Sequence, residues 1–404
     1  MSEHQTSDKA SILLVHNRYQ IRGGEDSVFE NEKRLLEQQG HRVFTYERSN
    51  EELEGMSAFR KFFAAFASLF SFKSYREVRK LIREHRIDIL WVHNTLMRVS
   101  PSVYYAGFHS GIPVLQTVHN FRLFCPGALC YREEASAEKG VPAGKICTDC
   151  IEGGFSCAIK HKCYRGSRLQ TAFLVLQLSL HRILGTYKKL HYICLTDFSK
   201  NLFLQGMGKH IDASHVWVKP NFVNLPDEII SSIAKDTEGK NPYYLYLGRL
   251  EKSKGIPWLL KEWEGNRTLL IAGEGTLKEA VEEASRKNPC IHYLGALSHE
   301  EALRYLAGAE ALLFPSEWYE NFPMVILEAM ALGTPVICRD IGNGASIVKE
   351  IANDLVIQDH EALKDKLAVH QKKDYSEAFQ KVYREKYTPE KNYEILSAIF
   401  KEAR

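Results

Sequence analysis

Short apolar runs alternate with helical periods from one end of the chain to the other. Residues 12–15 read as a buried strand. Residues 25–39 read as the helix after it, with Val28, Phe29, Leu35 and Leu36 on one side and Gly40 as its stop. Residues 42–46, 87–92, 113–118 and 190–195 read as later strands. The pattern restarts near residue 243, where runs at 243–247, 268–271, 291–294, 311–314, 335–338 and 354–357 again alternate with helical segments. This order predicts an α/β fold of parallel sheets with helices on both faces. Between the two series, residues 219–227 contain Pro220, Asn221 and Pro226 and read as a hinge, followed by a polar stretch over 231–241. The expected architecture is two doubly wound, Rossmann-like domains facing a central cleft. They span 1–220 and 221–388, and a helix over 389–404 crosses back toward the first. Residues 121–166, rich in Cys, Gly and charge, break the alternation and read as an insertion in the first domain.

Composition narrows the function classes. The 404 residues are 45% hydrophobic and 25% charged, an ordinary globular balance that argues against disorder or a fibrous repeat. A net charge of +3 gives no broad field, so no nucleic-acid partner is expected. The polar start carries no signal-peptide core, and no uncharged apolar run reaches the roughly 20 residues of a membrane span. The expectation is a cytoplasmic chain, soluble or peripheral at the inner face of the membrane. Residues 58–78 bear on that choice. Phe59, Phe62, Phe63, Phe66 and Phe70 recur at helical spacing, with Arg60, Lys61, Lys73 and Arg76 nearby. Such a stripe is either core packing or a membrane-surface contact.

The strongest chemical signal runs from Ser316 to Pro335. An apolar strand ends at Pro315, a loop carries Glu320, and a helix begins near Pro323 and stops at Gly333. Ligands of open α/β sheets bind beyond the carboxyl ends of strands, where this loop lies. The helix N-terminus offers free N–H groups to a phosphate. Glu328, eight residues after Glu320, suits the two hydroxyls of a ribose. After the strand at 243–247 comes a loop with Arg249 and Lys254, two cations placed to hold a diphosphate and stabilise it as it leaves. After the next strand, Gly273 and Gly275 permit close backbone approach to a ligand. Each piece alone also fits a solvated surface loop.

Together, in this order and spacing, residues 248–255, 272–275 and the pair Glu320 and Glu328 resemble the retaining glycosyltransferases of family 4, which have the GT-B fold. The resemblance extends to Arg22-Gly23-Gly24-Glu25 and to Thr117-Val118-His119-Asn120. It implies that Arg249 and Lys254 bind the donor diphosphate and Glu328 the ribose. Glu320 would hydrogen-bond the donor sugar, helped by the backbone around Phe322 and Met324. His119 would contact the donor sugar or the acceptor, and Gly23 and Gly24 would let the first loop approach the donor phosphates. One departure is Gly342-Asn343-Gly344-Ala345-Ser346, where the family often has Gly-Gly-x-x-Glu. The implied function is transfer of a sugar from a UDP- or GDP-sugar to a glycan or lipid-linked acceptor in surface-polysaccharide biosynthesis, with retention. No catalytic cofactor is implied. The Asp-x-Asp metal motif of the other large glycosyltransferase fold is absent from the sequence.

The cysteines are a separate matter. Cys147 and Cys150 form a Cys-x-x-Cys flanked by Cys125 and Cys163, a candidate structural zinc set. An iron–sulfur cluster fits the same count, as do reduced thiols without metal. Two further function classes stand beside the transferase: a sugar-nucleotide epimerase of similar architecture, and a metal-stabilised binding module centred on these cysteines.

Overall fold

The structure is a computed structural model. It describes residues 9–18, 23–53, 55, 57, 66–134, 143–237, 241–264, 267–358 and 362–404. Arg22 and the phenylalanines at 59, 62 and 63 lie outside the described residues. The chain divides into two compact units. The first comprises residues 1–128, 148–220 and 392–404, and the second 129–147 and 221–391.

The first unit is built on a six-stranded parallel sheet. Its strands are β1 (Ser11–Arg18), β2 (Arg42–Ser49), β3 (Ile89–Val92), β4 (Val114–Thr117), β7 (His191–Cys194) and β8 (Val216–Val218), in the order β2-β1-β3-β4-β7-β8. β5 (Tyr131–Glu134) and β6 (Ala143–Ile146) pair as an antiparallel hairpin in the second unit. β3 is apolar throughout and all four of its residues are buried, as expected of a central strand with helices over both faces. Ile12, Leu14, Phe29, Trp91, Leu115 and Ile193 form part of one core layer. Leu396, Ile399 and Phe400 join it from the last helix, Pro389–Ala403.

The second unit's sheet contains β9 (Tyr243–Leu247), β10 (Thr268–Ala272), β11 (Ile291–Gly295), β12 (Ala311–Phe314), β13 (Val336–Arg339) and β14 (Val356–Ile357). All pairings are parallel, in the order β11-β10-β9-β12-β13-β14. Renumbered within the unit this is 3-2-1-4-5-6, the dinucleotide-binding order. Its switch point, where successive connections leave to opposite sides, lies between β9 and β12. In the first unit the equivalent point lies between β1 and β3. Each is where a ligand site is expected.

Two local expectations change. The polar stretch at 231–241 is not all linker, because the helix Asp227–Thr237 runs into it. Pro226 followed by Asp227 and Glu228 is an ordinary helix start that the polar composition obscured. β8 was absent from the pattern because three residues are too few to show a period.

Candidate functional site

In the second unit, the loops after β9, β10 and β12 are joined backbone to backbone. Leu250 N–H donates to Glu274 O at 2.8 Å, Leu277 N–H to Leu250 O at 2.9 Å, and Glu317 N–H to Ser253 O at 2.9 Å. The glycines make this approach feasible. A Cβ on Gly273, whose φ is +136°, would lie 1.8 Å from Gly248 O, and one on Gly275 would lie 2.4 Å from Leu250 O. These glycines therefore serve loop-to-loop packing.

That packing brings Lys254 to Glu320 across the switch point. Lys254 Nζ pairs with Glu320 Oε1. The same oxygen accepts from Ser316 Oγ at 3.0 Å and Trp318 Nε1 at 2.9 Å. Lys254 also sits over the Trp318 ring, 5.1 Å from its centroid. Asn343 Nδ2 donates to the Glu320 carbonyl, so the divergent segment after β13, which forms the first turn of the helix Gly342–Lys349 rather than a loop, fixes the Glu320 backbone. The result is a cation and a carboxylate side by side at the ends of β9 and β12. One suits phosphate oxygens and the other sugar hydroxyls.

The other residues of this unit are placed less centrally. Arg249 is exposed and pairs with Glu251 at 2.8 Å. Glu328 lies in the helix Met324–Ala331 and meets His299 Nε2 at 3.0 Å, which raises the histidine's pKa through the hydrogen bond. Phe322 and Met324 are partly buried against the core. Their side chains pack, which leaves the backbone as their means of meeting a ligand.

In the first unit, His16, His93 and His119 stand at or just beyond the ends of the adjacent strands β1, β3 and β4. Each is the centre of a Val-His-Asn triplet: 15–17, 92–94 and 118–120. His93 Nδ1 and His119 Nε2 are 2.9 Å apart, and their rings stack. His93 Nε2 lies 3.4 Å from Glu32 Oε2. Glu32 in turn accepts from Lys219 Nζ at 2.6 Å, and this pair is wholly buried. Asn392 Oδ1 accepts from the same ammonium at 3.1 Å. His16 Nε2 meets Asp26 Oδ1 at 2.9 Å, and Asp26 Oδ2 accepts from Gly23 N–H at 2.8 Å. Burial pushes the Asp26 carboxyl up, but His16 and the Gly23 N–H outweigh it and hold it below its ordinary value. Gly23 caps the helix Gly24–Gln38, and among the described residues a Cβ on either glycine would meet nothing within 4 Å. Glu25 Oε1 accepts from Asn120 at 2.9 Å, and burial raises its pKa. His93, Asn94, Gln116, His119, Asn120 and Arg122 help to line a recess in the first unit.

Burial, with His16 and Lys219 adding to it and Asp26 opposing, lowers the His119 pKa to about 3. His93 is lowered well below its usual value by burial, with His119, His16 and Lys219 contributing. A histidine held neutral when folded but protonated when unfolded makes stability fall as pH falls below about 6.5. Urea unfolding of the first unit between pH 6.5 and 4.5 should therefore be less pH-dependent in His119→Gln. The slope should flatten by up to about 1.4 kcal/mol per pH unit. Equal slopes would contradict the neutral buried assignment.

Residues 241–370 match a family model described as glycosyl transferases group 1. They are a glycosyltransferase group 1 domain. The glycogen synthase of Mycobacterium tuberculosis (strain ATCC 25618 / H37Rv) is 41% identical over 108 residues, 24% of this chain and 26% of that protein. The O-antigen chain mannosyltransferase B of Escherichia coli is 27% identical over 186 residues, 42% of this chain and 48% of that protein. The chain thus spans between about a quarter and a half of the length of these curated relatives. Among solved structures, Anabaena Alr3699/HepE in complex with UDP is similar with a TM-score of 0.60 at 14% identity, covering 97% of this chain and 100% of that one. Likeness at that identity speaks for the fold, which is GT-B.

The glycosyltransferase group 1 domain contains the second-unit donor-site candidates, from Arg249 to Glu328. Ser316, Trp318, Asn343 and His299 are their additional polar partners, which the spacing of the sequence does not single out. Outside it, the cysteine expectation finds no support. Among the described residues, no three His, Cys, Asp or Glu side chains gather as a metal site. Cys147 belongs to the segment 129–147 grouped with the second unit, whereas Cys125, Cys150 and Cys163 belong to the first.

Proposed function

We propose that the chain is a retaining glycosyltransferase. It would move a sugar from a UDP- or GDP-sugar to a glycan or lipid-linked acceptor in surface-polysaccharide biosynthesis. The observation that carries this reading is the Lys254–Glu320 pair at the β9/β12 switch point of a glycosyltransferase group 1 domain. Lys254, with Arg249 able to swing in from solvent, holds the donor diphosphate and stabilises the charge that grows on it. Glu320 binds the donor sugar hydroxyls, and Glu328 takes the ribose. His119, neutral at physiological pH, offers a hydrogen bond to the donor sugar or acceptor. Gly23 and Gly24 would let the first loop approach the donor phosphates. The sugar's anomeric carbon loses its bond to the phosphate oxygen and gains one to the acceptor oxygen on the same face. The acceptor proton passes to the departing phosphate. Charge stabilisation and positioning supply the rate, with no protein nucleophile and no metal at the reaction centre. The mannosyltransferase relative and the UDP-bound neighbour support the acceptor and donor classes. Proton NMR of the fresh product should show the donor's anomeric configuration. An inverted product would overturn the retaining mechanism.

A further inference from the structure

The helix Arg168–Ile183 turns an apolar stripe outward. Ser167 caps it, and Thr171, Leu174, Gln177, Leu178 and His181 turn inward and are buried. At 100° per residue, Leu169, Leu176, Leu180 and Ile183 fall on one stripe of the opposite side, and Leu184 continues it. All five are exposed; Leu169 is 81% exposed and Ile183 83%. A surface helix ordinarily places charge there. Phe66 widens the patch. It is exposed and packs edge-on against Phe173, 5.3 Å between centroids. Gln177 Nε2 ties the two segments by donating to Ser68 O at 2.6 Å.

The charge along this stretch of the chain has one sign. Between Glu152 and Asp197 the sequence contains no Asp or Glu. Lys160, Lys162, Arg165 and Arg168 stand exposed before or at the start of the helix, and Lys188 and Lys189 after its end. Arg182 is the exception, turned inward to donate to Leu123 O at 2.9 Å. An apolar stripe flanked at both ends by cations matches an anionic bilayer surface: leucines enter the acyl boundary while Lys and Arg reach the headgroups. A second copy is a poorer occupant, because two-fold pairing sets this cationic tract against itself. No helix among the described residues is long and apolar enough to cross a membrane.

We infer that the outward face of Arg168–Ile183 docks the first unit onto an anionic lipid membrane, with the helix lying in the plane of the interface. This surface lies on a different element from the phenylalanine stripe at 58–78, which contributes Phe66 to it; residues 58–65 are not described. The inference does not depend on the transferase reading.

The test is flotation of the full chain with vesicles of phosphatidylglycerol and phosphatidylcholine in equal parts. The chain should float at low salt, be released as salt rises, and stay off pure phosphatidylcholine. The variant Leu176→Gln/Ile183→Gln/Leu184→Gln should partition about tenfold more weakly. Its melting temperature should be unchanged. A second variant, Lys160→Gln/Lys162→Gln/Lys188→Gln/Lys189→Gln, should lose most of the salt dependence. A wild type that stays off anionic vesicles overturns the inference, as do both variants floating like wild type. Concentration-dependent dimerisation abolished by the leucine variant would assign the face to a second copy instead. Binding to an acidic protein but not to vesicles would assign it to that partner.

Discussion

Lys254→Ala should lower kcat/KM for sugar transfer by about 10³-fold, or about 4 kcal/mol of transition-state stabilisation. The ammonium sits at the switch point, held by Glu320 and the face of Trp318. It costs no reorganisation as charge grows on the leaving diphosphate. Most of the loss should fall in kcat, because that charge is larger in the transition state than in the bound donor. Glu320→Ala should be comparably damaging for a different reason: it removes the carboxylate that orients the sugar and releases Lys254, Ser316 and Trp318 together. Glu320→Gln keeps acceptor geometry toward Ser316 and Trp318 and should retain more activity. Arg249→Ala should cost less than Lys254→Ala, since Arg249 is exposed and paired with Glu251. An Arg249→Ala loss exceeding that of Lys254→Ala would move the diphosphate away from the β9/β12 switch point.

Lys219→Met should destabilise the first unit by about 3–5 kcal/mol. Lys219 and Glu32 are both wholly buried, and removing the ammonium leaves the carboxylate without its partner. Burial already raises the Glu32 pKa against the pull of Lys219. In the variant, Glu32 should keep its proton when folded and lose it on unfolding above about pH 4.5. The folded state then binds more protons than the unfolded one, so the variant's stability falls as pH rises from 4.5 through neutrality. Lys219→Met/Glu32→Leu should recover most of the loss, because a matched apolar pair needs no charge compensation. Chemical unfolding followed in the first unit at pH 5 and pH 8 checks both statements. A single variant as stable as wild type would mean that Glu32 finds another partner.

The contrast between these two sites explains what could be read in advance. Lys254 and Glu320 follow apolar strands within loops bounded by Gly255, Pro323 and Gly333, so local pattern places them at strand ends. Their pairing follows from strand order. Gly273 and Gly275 were legible as close-approach positions, and each packs against the backbone of the loop after β9. Lys219 carries no local signal. It sits in a Pro-flanked stretch that reads as hinge, and its partner is 187 residues away. The three Val-His-Asn triplets were visible as text. What the first two contribute depends on β1, β3 and β4 being neighbours, which no local pattern states. The cysteine-rich segment was the least legible: nothing in its spacing announced the β5–β6 hairpin.

The central claim is that the second unit's strand-end loops bind a nucleotide-sugar diphosphate through Lys254. The most direct measurement is the melting temperature of wild type and Lys254→Ala against a panel of UDP-, GDP- and ADP-sugars. At about 100 times its dissociation constant, a ligand specific to the folded state adds about 2.7 kcal/mol. At least one nucleotide sugar should raise the melting temperature of the wild type and leave that of Lys254→Ala unchanged. Equal stabilisation of both proteins, or of neither by any nucleotide sugar, would contradict the account.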